Sequence, residues 1–575
     1  MKIQLLFPPH WNPVMPHLAL PTLTAYLRAQ GLEVAQRDLN VEVFDAVLTR
    51  DYVTRAVERL RRMKHHPAPR TMLESALADG PQLAAQVETA KTVFRSPAFF
   101  AGPTSLPAFL TLIQSLQVAS LPFYPAALEL TRYVPHAPED SRQSLMVAAR
   151  DPQHNLFLDI FRRGVLADLK AAPPDIVAIS VPTLSQMLAA VTLAHLIKVA
   201  RLPCHVTLGG PHISMLREQL PRTPELFDWI DSAIVFGGEV PLTRLVETLA
   251  AHGDLSQVPN LIYRDGRTVK STPVENAPYP NLLPDFAGLP LDRYLTPTPV
   301  LPLLSTHGCY HGKCGFCNVG YGGPQTFCQI DAEQVVGHML TLREKYGARH
   351  IFFADEAFTP HNLNIMATKL ADLGAPIHWC GCARFDHGLT PDLLAQMAAG
   401  GCRMLLFGLE TAAEPTIRRM VKGTQPEEMS RILRQSAAAG IWNHAFFFFG
   451  FPGEMLADAQ ETVNFVYAHQ DAIHSASPGA FLLERYAPAH REPAKYNIRH
   501  IHTDPVRVLA IYFDYEAASG IDAELAETIA ERLLAALPYK QWGQFYSNDI
   551  WRFLYASDLR ERGKVLPLWL ESETS

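Results

Sequence analysis

The segment LSTHGCYHGKCGFCNVG, residues 304–320, places three cysteines within nine residues. Cys309, Cys314 and Cys317 have the spacing C-x4-C-x2-C, and the glycines between them let the backbone curl so that three sulfurs can face one point. The segment follows an apolar stretch, LPLLS (301–305), that is typical of a strand. We therefore expect the cysteines at the carboxyl end of a barrel strand, where active sites are built.

Two metal centres are compatible with this loop. Three thiolates without a nearby fourth ligand suit a four-iron cluster that keeps one iron free for substrate. A zinc site is the alternative, with His307, His311 or Cys328 as its fourth ligand. Some cysteines are simply small core side chains, which we expect of Cys204 and Cys402. The loop alone does not decide between cluster and zinc.

The sequence after residue 300 alternates between strands and helices, which predicts a parallel sheet. Six βα repeats over about 190 residues favour an open, partial (β/α)6 barrel at 301–490 over a full eight-unit barrel. The predicted strands are 301–305, 350–355, 377–384, 404–410, 443–450 and 479–484. Residues 491–575 are expected to form a small, mostly helical C-terminal region.

The sequence before residue 300 predicts a second α/β domain at 1–275, a doubly wound, Rossmann-like parallel sheet. A Leu-, Ala- and Arg-rich helical insertion at about 45–170 interrupts it, and a proline-rich linker at 276–300 ends it. The predicted strands are 2–7, 33–40, 175–182, 204–210 and 232–238.

The composition describes a folded protein, with 575 residues, 48% of them hydrophobic and 19% charged. The net charge of −7 gives no electrostatic basis for binding nucleic acid or an anionic membrane. The N-terminal apolar run is broken by Pro8 and Pro9, and no stretch reaches the roughly 20 apolar residues of a membrane span. We expect a cytoplasmic protein whose cysteines are not in disulfides, with no nucleic-acid or membrane partner.

Six phrases in a fixed order resemble the cobalamin-binding radical S-adenosylmethionine (SAM) enzymes over essentially residues 1–490. They are GGPH (209–212), GGE (237–239), HGCYHGKCGFC (307–317), FFADEAF (352–358), GCRMLLFGLET (401–411) and FFGFPGE (448–454). The family at large has the spacing C-x3-C-x2-C, and this loop has one more residue before Cys314.

The resemblance implies that the three cysteines bind three irons of a 4Fe-4S cluster and that SAM chelates the fourth. Asp355 and Glu356 would accept hydrogen bonds from the SAM ammonium, which requires carboxylates. Arg384 would pair with the SAM carboxylate, and Glu410 would contact the ribose or amino group. The alternative is that Asp355, Arg384 and Glu410 form a structural ion network.

The resemblance also places the adenine of SAM. Phe316 would pack near the ring, and the backbone of Gly450, Phe451 and Pro452 would meet its edge.

Cobalamin would lie across the carboxyl ends of the N-terminal strands, the usual ligand crevice of such sheets. The implied contacts are Pro9, His10, Ser180, Thr183, Gln186, Gly209, Gly210, Pro211, His212, Gly237, Gly238 and Glu239. The alternative is that the glycine pairs are ordinary turns, and that His212 and Glu239 are capping or solvent-facing residues. The D-x-H-x-x-G signature is absent and FPPHWNP around His10 does not match it, so we expect cobalamin without a protein histidine ligand.

The function implied by the resemblance is methylation of an unactivated carbon in a small-molecule or peptide natural product. A 5′-deoxyadenosyl radical would abstract hydrogen and methylcobalamin would deliver the methyl group, with electrons from a flavodoxin- or ferredoxin-like donor. The alternatives are a cyclase, oxidase or rearrangement enzyme with the same cofactors, a non-catalytic cobalamin sensor or carrier, and a zinc protein.

Several further residues carry weaker expectations. Cys380 and Cys382 alternate on a strand, so they point to opposite faces and are expected to be packing residues. The substrate pocket is expected between the two sheet domains, closed by C-terminal helices. Tyr546, Trp551 and Tyr555 are candidates for its lining, although core positions suit them equally.

Overall fold

The protein is described by a computed structural model that covers residues 1–323, 327–537 and 543–564. The chain divides into two compact units. The first contains Met1–Pro297 together with Asp504–Ile511, and the second contains the remaining residues. The division falls within the connector expected at 276–300. Residues 504–511, expected in the C-terminal region, pack with the first unit instead.

The first unit is built on a seven-stranded sheet. Its strands are β1 (Lys2–Phe7), β2 (Glu33–Asp38), β3 (Ala127–Leu128), β4 (Tyr133–Val134), β5 (Ile176–Ser180), β6 (His205–Gly209), β7 (Ser232–Ile234), β8 (Leu261–Asp265) and β9 (Thr268–Ser271). The sheet order is β2-β1-β5-β6-β7-β8-β9. The first five strands of this order are parallel, while β8 and β9 are antiparallel. The doubly wound sheet is confirmed, and the β8–β9 hairpin was not predicted.

Helices pack on this sheet, whose central strands β5 and β6 are buried along most of their length, and further helices form the insertion. They are α1 (Ala19–Ala29), α2 (Leu39–Val47), α3 (Arg50–Arg62), α4 (Arg70–Phe94), α5 (Gly102–Ser120), α6 (Arg142–Ala148), α7 (Phe157–Arg163), α8 (Val165–Ala171), α9 (Met187–Val199), α10 (Pro211–Met215) and α11 (Glu239–Ala250). Leu27 of α1 and Leu245 of α11 share a core cluster with Leu5 and Ile176 of the strands. Burial on both faces is typical of parallel sheets.

The insertion between β2 and β5 has a core of its own. Val57 of α3, Leu83 of α4 and Val118 of α5 pack together in one buried cluster. The segment Gly102–Phe123 is long and apolar enough to span a membrane by composition, yet 56% of its apolar window is buried inside the protein. Such burial is what a core helix of a folded domain also shows.

The second unit contains the predicted barrel. Its strands are β10 (Val300–Leu303), β11 (Thr306–His307), β12 (Cys328–Gln329), β13 (His350–Phe353), β14 (His378–Ala383), β15 (Cys402–Glu410), β16 (Trp442–Phe449), β17 (Ser475–Ala480), β18 (Leu483–Glu484), β19 (Ile498–Ile501), β20 (Tyr512–Phe513) and β21 (Tyr515–Ala517). Six of them form one parallel sheet in the order β10-β13-β14-β15-β16-β17. Within the described residues β10 and β17 do not pair, so the barrel is open, as predicted.

Helices follow the barrel strands and then close the chain. They are α12 (Ala332–Tyr346), α13 (Pro360–Asp372), α14 (Pro391–Ala399), α15 (Glu414–Met420), α16 (Pro426–Ala438), α17 (Leu456–Ala468), α18 (Pro488–Arg491), α19 (Ala523–Ala536), α20 (Gly543–Tyr546) and α21 (Asp549–Glu561). The last barrel strand was predicted four residues too late, because SASPGA lacks the apolar run of a buried strand. The C-terminal region is mainly helical but begins with the short strands β19 to β21.

Candidate functional site

The cysteine loop leaves the carboxyl end of β10 and is shaped by its glycines. Gly308 and Gly312 have φ of 79° and 58°, a left-handed backbone that glycine adopts without strain. Gly315 serves a different purpose, since a Cβ there would lie 2.2 Å from Cε1 of Tyr496. The main chain of Gly315 is held on both sides, with its N–H on the carbonyl of Met420 at 2.7 Å and its carbonyl on the N–H of Ala489 at 2.8 Å.

The three thiols are free and differ in burial. Cys314 is 7% exposed, while Cys309 and Cys317 are partly exposed. Their sulfurs do not lie within 4.8 Å of one another as a set, nor with a fourth ligand atom among the residues that the structure describes. Thiolates on one tetrahedral zinc would stand only about 3.8 Å apart, given Zn–S bonds of about 2.3 Å. The wider spacing suits a cluster in which each thiolate binds a different iron.

Two cations lie beside this loop. Nη1 of Arg384 is 3.8 Å from Sγ of Cys314, and its Nη2 donates to the carbonyl of Lys422 at 2.5 Å. Burial raises the pKa of the Cys314 thiol, whereas the charges of Lys422 and Arg384 lower it. These cations therefore favour thiolate, the form that binds iron.

Lys422 links the loop to the end of β15. Its Nζ donates to Oε1 of Glu410 at 2.8 Å, and the two side chains are only 7% and 12% exposed. The same Nζ lies 5.6 Å from the ring centre of Phe316, which also packs edge-on against Phe448. Glu410 and Arg384 thus take part in an ion and hydrogen-bond network, the alternative weighed from the sequence. Lys422 was not predicted, and RRMVKGT (418–424) carries no signal that would single it out.

Asp355 lies buried against the start of the cysteine loop. Its carboxylate is 2% exposed and accepts from the N–H of Ser305 at 2.9 Å and from the hydroxyls of Ser305 and Thr306 at 2.5 and 2.8 Å. Asp355 therefore fixes the start of the loop, and its contact with the SAM ammonium stays a prediction.

The neighbouring Glu356 remains available. It is exposed, and its carboxylate forms no hydrogen bond or ion pair within the described chain. Surrounding protein still displaces enough water to raise the pKa of this carboxyl. Burial and the charge of Glu356 raise the pKa of Glu484, at the end of β18, to about 7. Glu484 was not predicted from the sequence, where it follows no recognisable motif.

The turn after β16 is held by a buried carboxylate. Oε2 of Glu454 accepts from the N–H of Gly450 at 2.5 Å, and the main chain of Phe451 also lowers the pKa of this carboxyl. The carbonyl of Gly450 accepts from the hydroxyl of Tyr515 at 3.0 Å. Gly450, Phe451 and Pro452 are all buried. The contact of Gly450, Phe451 and Pro452 with the adenine edge stays a prediction.

In the first unit, the predicted glycines lie at the carboxyl ends of β6 and β7. Gly210 has φ of 104°, and a Cβ there would lie 2.8 Å from the carbonyl oxygen of Val181. Gly209 and Pro211 are partly exposed beside it, and Gly237 is exposed. Only glycine fits at 210, so this turn brings bare backbone to the edge of the sheet where open α/β folds bind ligands.

Several other cobalamin contacts predicted from the sequence are buried. His212 and Gln186 have no exposed surface, and their contact with cobalamin stays a prediction. Gln186 donates from Nε2 to the carbonyl of Pro8 at 2.6 Å, and its Oε1 accepts from the N–H of Thr183 at 3.3 Å. It orders the loops around the crevice instead of lining it.

His10 is also committed within the protein. It is 3% exposed, and its Nε2 lies 2.9 Å from the carbonyl oxygen of Glu129. Burial lowers its pKa to about 4, so the ring is neutral at pH 7. Pro9 is buried beside it, Ser180 is 8% exposed, and Gly238 and Glu239 are partly exposed. Burial raises the pKa of Glu239.

The C-terminal aromatics belong largely to the core. Trp551 is fully buried and Tyr555, stacked on Phe545, is 4% exposed. Tyr546 is partly buried and packs against Trp442. The core alternative is correct for Trp551 and Tyr555.

The comparisons with known proteins agree with this geometry. Residues 303–466 match the model of the radical SAM superfamily. The barrel of this chain therefore contains a radical SAM domain, as the resemblance predicted. An iron–sulfur cluster and SAM are the cofactors through which such a domain generates radicals.

Curated relatives carry methyltransferase names. An uncharacterized methyltransferase of Pyrococcus horikoshii is 27% identical over 359 residues, which is 59% of this chain and 75% of the relative. Cytidylyl-2-hydroxyethylphosphonate methyltransferase of Streptomyces wedmorensis is 24% identical over 377 residues, covering 56% of this chain and 67% of the relative.

Two solved structures share the fold over nearly the whole chain. The cobalamin-dependent SAM radical enzyme OxsB, with aqua-cobalamin and SAM bound, has a TM-score of 0.58 at 15% identity, covering 98% of this chain and 76% of its own. The radical SAM methyltransferase TsrM of Kitasatospora setae, with tryptophan and a SAM analogue bound, has a TM-score of 0.58 at 15% identity, covering 98% of each chain. At this identity the likeness establishes the fold.

Proposed function

We propose that this radical SAM enzyme is a cobalamin-dependent methyltransferase acting on an unactivated carbon of a small-molecule or peptide natural product. The observation that carries the proposal is the set of three free thiols at the open barrel's carboxyl end, with Arg384 and Lys422 beside Cys314. The methyltransferase names of the two curated relatives support the reaction class. The proposal also places the protein in the cytoplasm and gives it a flavodoxin- or ferredoxin-like electron donor.

The donor set fits a four-iron cluster. Cys309, Cys314 and Cys317 would hold three irons, and their spacing does not suit a single zinc ion. When bound, the cluster, SAM and cobalamin supply the radical and methyl-transfer chemistry, while the protein supplies binding, orientation and exclusion of water. Asp355 fixes the start of the loop through Ser305 and Thr306, and Gly315 is clamped between two main-chain partners.

The carboxylate of Glu356 is the group that would hold the SAM ammonium under this proposal. Glu356 has no partner among the described residues and lies near Cys317, whose pKa its charge helps to raise. An ammonium group there would gain a charge-assisted hydrogen bond that no protein group now makes. Arg384 projects toward Cys314 and has one guanidinium nitrogen engaged by Lys422, so its role is to neutralise charge at the loop as well as to orient SAM.

For cobalamin, the first unit offers backbone in place of a histidine ligand. Gly209, Gly210 and Gly237 lie at the carboxyl edge of a parallel sheet, where a nucleotide tail can approach bare main chain. His10 is engaged by Glu129 and His212 is fully buried. Both observations support cobalamin binding without protein histidine ligation.

The test is an anaerobic assay of the reconstituted full-length enzyme with cobalamin, a reductant and SAM carrying a deuterated methyl group. Candidate small molecules and peptides are analysed by mass spectrometry, and the expected product gains one labelled methyl group. A product formed without that gain identifies a cyclase, oxidase or rearrangement enzyme. Failure to cleave SAM despite a full cluster favours a sensor or carrier.

A matched pair of cysteine variants separates the cluster from zinc. Cys314→Ala is expected to lose iron and SAM cleavage together. Cys328→Ala, on the exposed strand β12, is expected to retain both. Stoichiometric zinc that is lost from both variants would instead identify a four-ligand zinc site that includes Cys328.

A further inference from the structure

Two histidines and an aspartate cluster in the insertion of the first unit, and none of the three is assigned to a cofactor above. His136 precedes α6, and Asp151 and His154 follow it. In the described part of the chain, theirs is the one trio of His, Cys, Asp or Glu residues whose ligand atoms all lie within 4.8 Å of one another. The spacing H-x14-D-x2-H does not match a familiar metal motif, so the sequence alone gave no signal.

The three side chains converge on one carboxylate oxygen. Oδ2 of Asp151 lies 2.7 Å from Nδ1 of His154 and 3.7 Å from Nε2 of His136. The two imidazole rings are stacked, with centroids 5.3 Å apart. Nitrogen and oxygen ligands about 2.0–2.1 Å from a tetrahedral zinc ion stand about 3.3 Å apart, so the observed spacings bracket that value.

His136 is the member that protein contacts leave unexplained. Its side chain is only 8% exposed, and Nδ1 is buried without a hydrogen-bond partner. Its Nε2 faces Asp151 at a distance beyond that of a hydrogen bond. Buried polar groups normally have a hydrogen-bond partner. Neither nitrogen of His136 has one, and one of them faces a carboxylate, so we infer that a ligand belongs between them.

The carboxylate is held in the orientation that a metal site needs. Oδ1 of Asp151 accepts from the N–H of Gln153 at 2.8 Å, which turns Oδ2 toward both rings. Asn155 ties the same turn to helix α9, with Nδ2 2.9 Å from the hydroxyl of Thr192. Ligating carboxylates in metalloproteins are typically fixed by such a second hydrogen bond.

We propose that His136, Asp151 and His154 bind a divalent transition-metal ion, and that zinc is the preferred ion. This metal site does not depend on the cluster or on the proposed function. Two imidazoles and one carboxylate are ligands typical of zinc, and such a site binds Zn²⁺ more tightly than Fe²⁺. Asp151 and His154 are 25% and 32% exposed on their side chains, so water can complete the coordination.

The site lies where distant parts of the first unit meet. Between His136 and α6, Asp140 accepts from Nε of Arg507 at 2.8 Å, and its carbonyl accepts from the N–H of Leu509 at 2.9 Å. The segment 504–511 therefore docks on the loop that the metal would close. The bound ion stabilises this loop at the point where segment 504–511 packs against it.

The first test measures metal in the purified full-length protein. Plasma mass spectrometry is expected to find one zinc per chain in addition to cluster iron. His154→Gln is expected to lose that zinc and keep the iron, whereas His65→Ala, an exposed histidine in the same unit, should keep both. Zinc that persists in His154→Gln would overturn the proposal, as would its absence from protein supplied with zinc.

A second test separates this site from the thiols and does not depend on the folding of a histidine variant. Chelator-stripped wild-type protein is titrated with Zn²⁺ or Mg²⁺ while hydrogen exchange of residues 135–156 and 504–511 is followed. We expect zinc alone to slow exchange in both segments, and Asp151→Asn to weaken zinc binding more than the 10–100-fold typical of residues that merely orient a ligand. Zinc binding that disappears in the Cys309, Cys314 and Cys317 triple alanine variant but persists in Asp151→Asn would assign the ion to the cysteine loop instead.

Discussion

Glu454 provides a quantitative test of how the turn after β16 is held. The residue has no exposed surface, and its Oε2 accepts from the main-chain N–H of Gly450 while Oε1 is buried without a partner. Burial raises the pKa of this carboxyl from 4.5 to about 7, although the hydrogen bonds from Gly450 and Phe451 oppose the rise. The folded protein therefore holds a proton on Glu454 at pH values where the unfolded chain has lost it.

The sign and size of the effect follow from proton linkage. Below pH 4.5 both states bind the proton, and no stability is lost. Between pH 4.5 and 7 the folded state binds more protons than the unfolded state, so the free energy of unfolding falls as pH rises. A rise of about 2.5 pKa units at 1.36 kcal/mol each corresponds to about 3.4 kcal/mol, fully lost above pH 7.

The perturbation is Glu454→Gln, which keeps an acceptor oxygen for the turn and removes the titration. We expect the variant to match the wild type near pH 5 and to be more stable by about 3 kcal/mol at pH 8. Urea unfolding at pH 5, 6, 7 and 8 measures the difference, with Glu461→Gln, an exposed glutamate on α17, as the control. An equal loss of stability with pH in wild type and Glu454→Gln would refute the reasoning.

Three further substitutions test the contacts around the cysteine loop. Lys422→Met leaves the Glu410 carboxylate, which is 12% exposed, without its cation, so we expect the free energy of unfolding in urea to fall by about 3–5 kcal/mol. The double variant Lys422→Met with Glu410→Gln should recover most of this loss, and no recovery would contradict the pairing. Thr306→Val removes a hydroxyl donor 2.8 Å from the buried Asp355 carboxylate, so we expect the free energy of unfolding in urea to fall by about 1–3 kcal/mol. Thr341→Val, on the exposed face of α12, should leave it unchanged. Gly315→Ala places a methyl group 2.2 Å from Tyr496, so iron analysis should show that most of the cluster is lost. Gly337→Ala, with open space around its Cβ, should retain the cluster. A full iron content in Gly315→Ala would show that the loop can move aside.

The sequence predicted the parts of this molecule whose signal is local. Apolar runs such as IFF before Asp355 and FFFF before Gly450 mark buried parallel strands, and all six barrel strands lie at or near their predicted positions. The cysteine loop was recognisable because its ligands lie within nine residues of one another. The β17 strand was misplaced since Pro478 and Gly479 interrupt its apolar pattern.

The sequence did not reveal partners that meet only in three dimensions. Nothing in FFADEAF distinguishes Asp355, which accepts hydrogen bonds from Ser305 and Thr306, from Glu356, which accepts none within the described chain. Lys422 and Glu454 act across turns of the barrel, so their roles depend on pairings that one sequence does not reveal. The family resemblance named candidate carboxylates but could not show which of them are already hydrogen-bonded within the protein.

The anchoring of the cysteine loop has a consequence for how the cofactor site forms. The loop follows the first barrel strand, yet four of its described hydrogen bonds join it to residues more than 100 positions later in the chain. They run from Gly315 to Met420, from His311 to Val421, from Asn318 to Arg485 and from Ala489 to Gly315. These partners follow the fourth and sixth strands, β15 and β17. The three thiols can therefore take up their final arrangement only when the barrel has been completed through β17, so iron binding should report the folded barrel and not the loop alone.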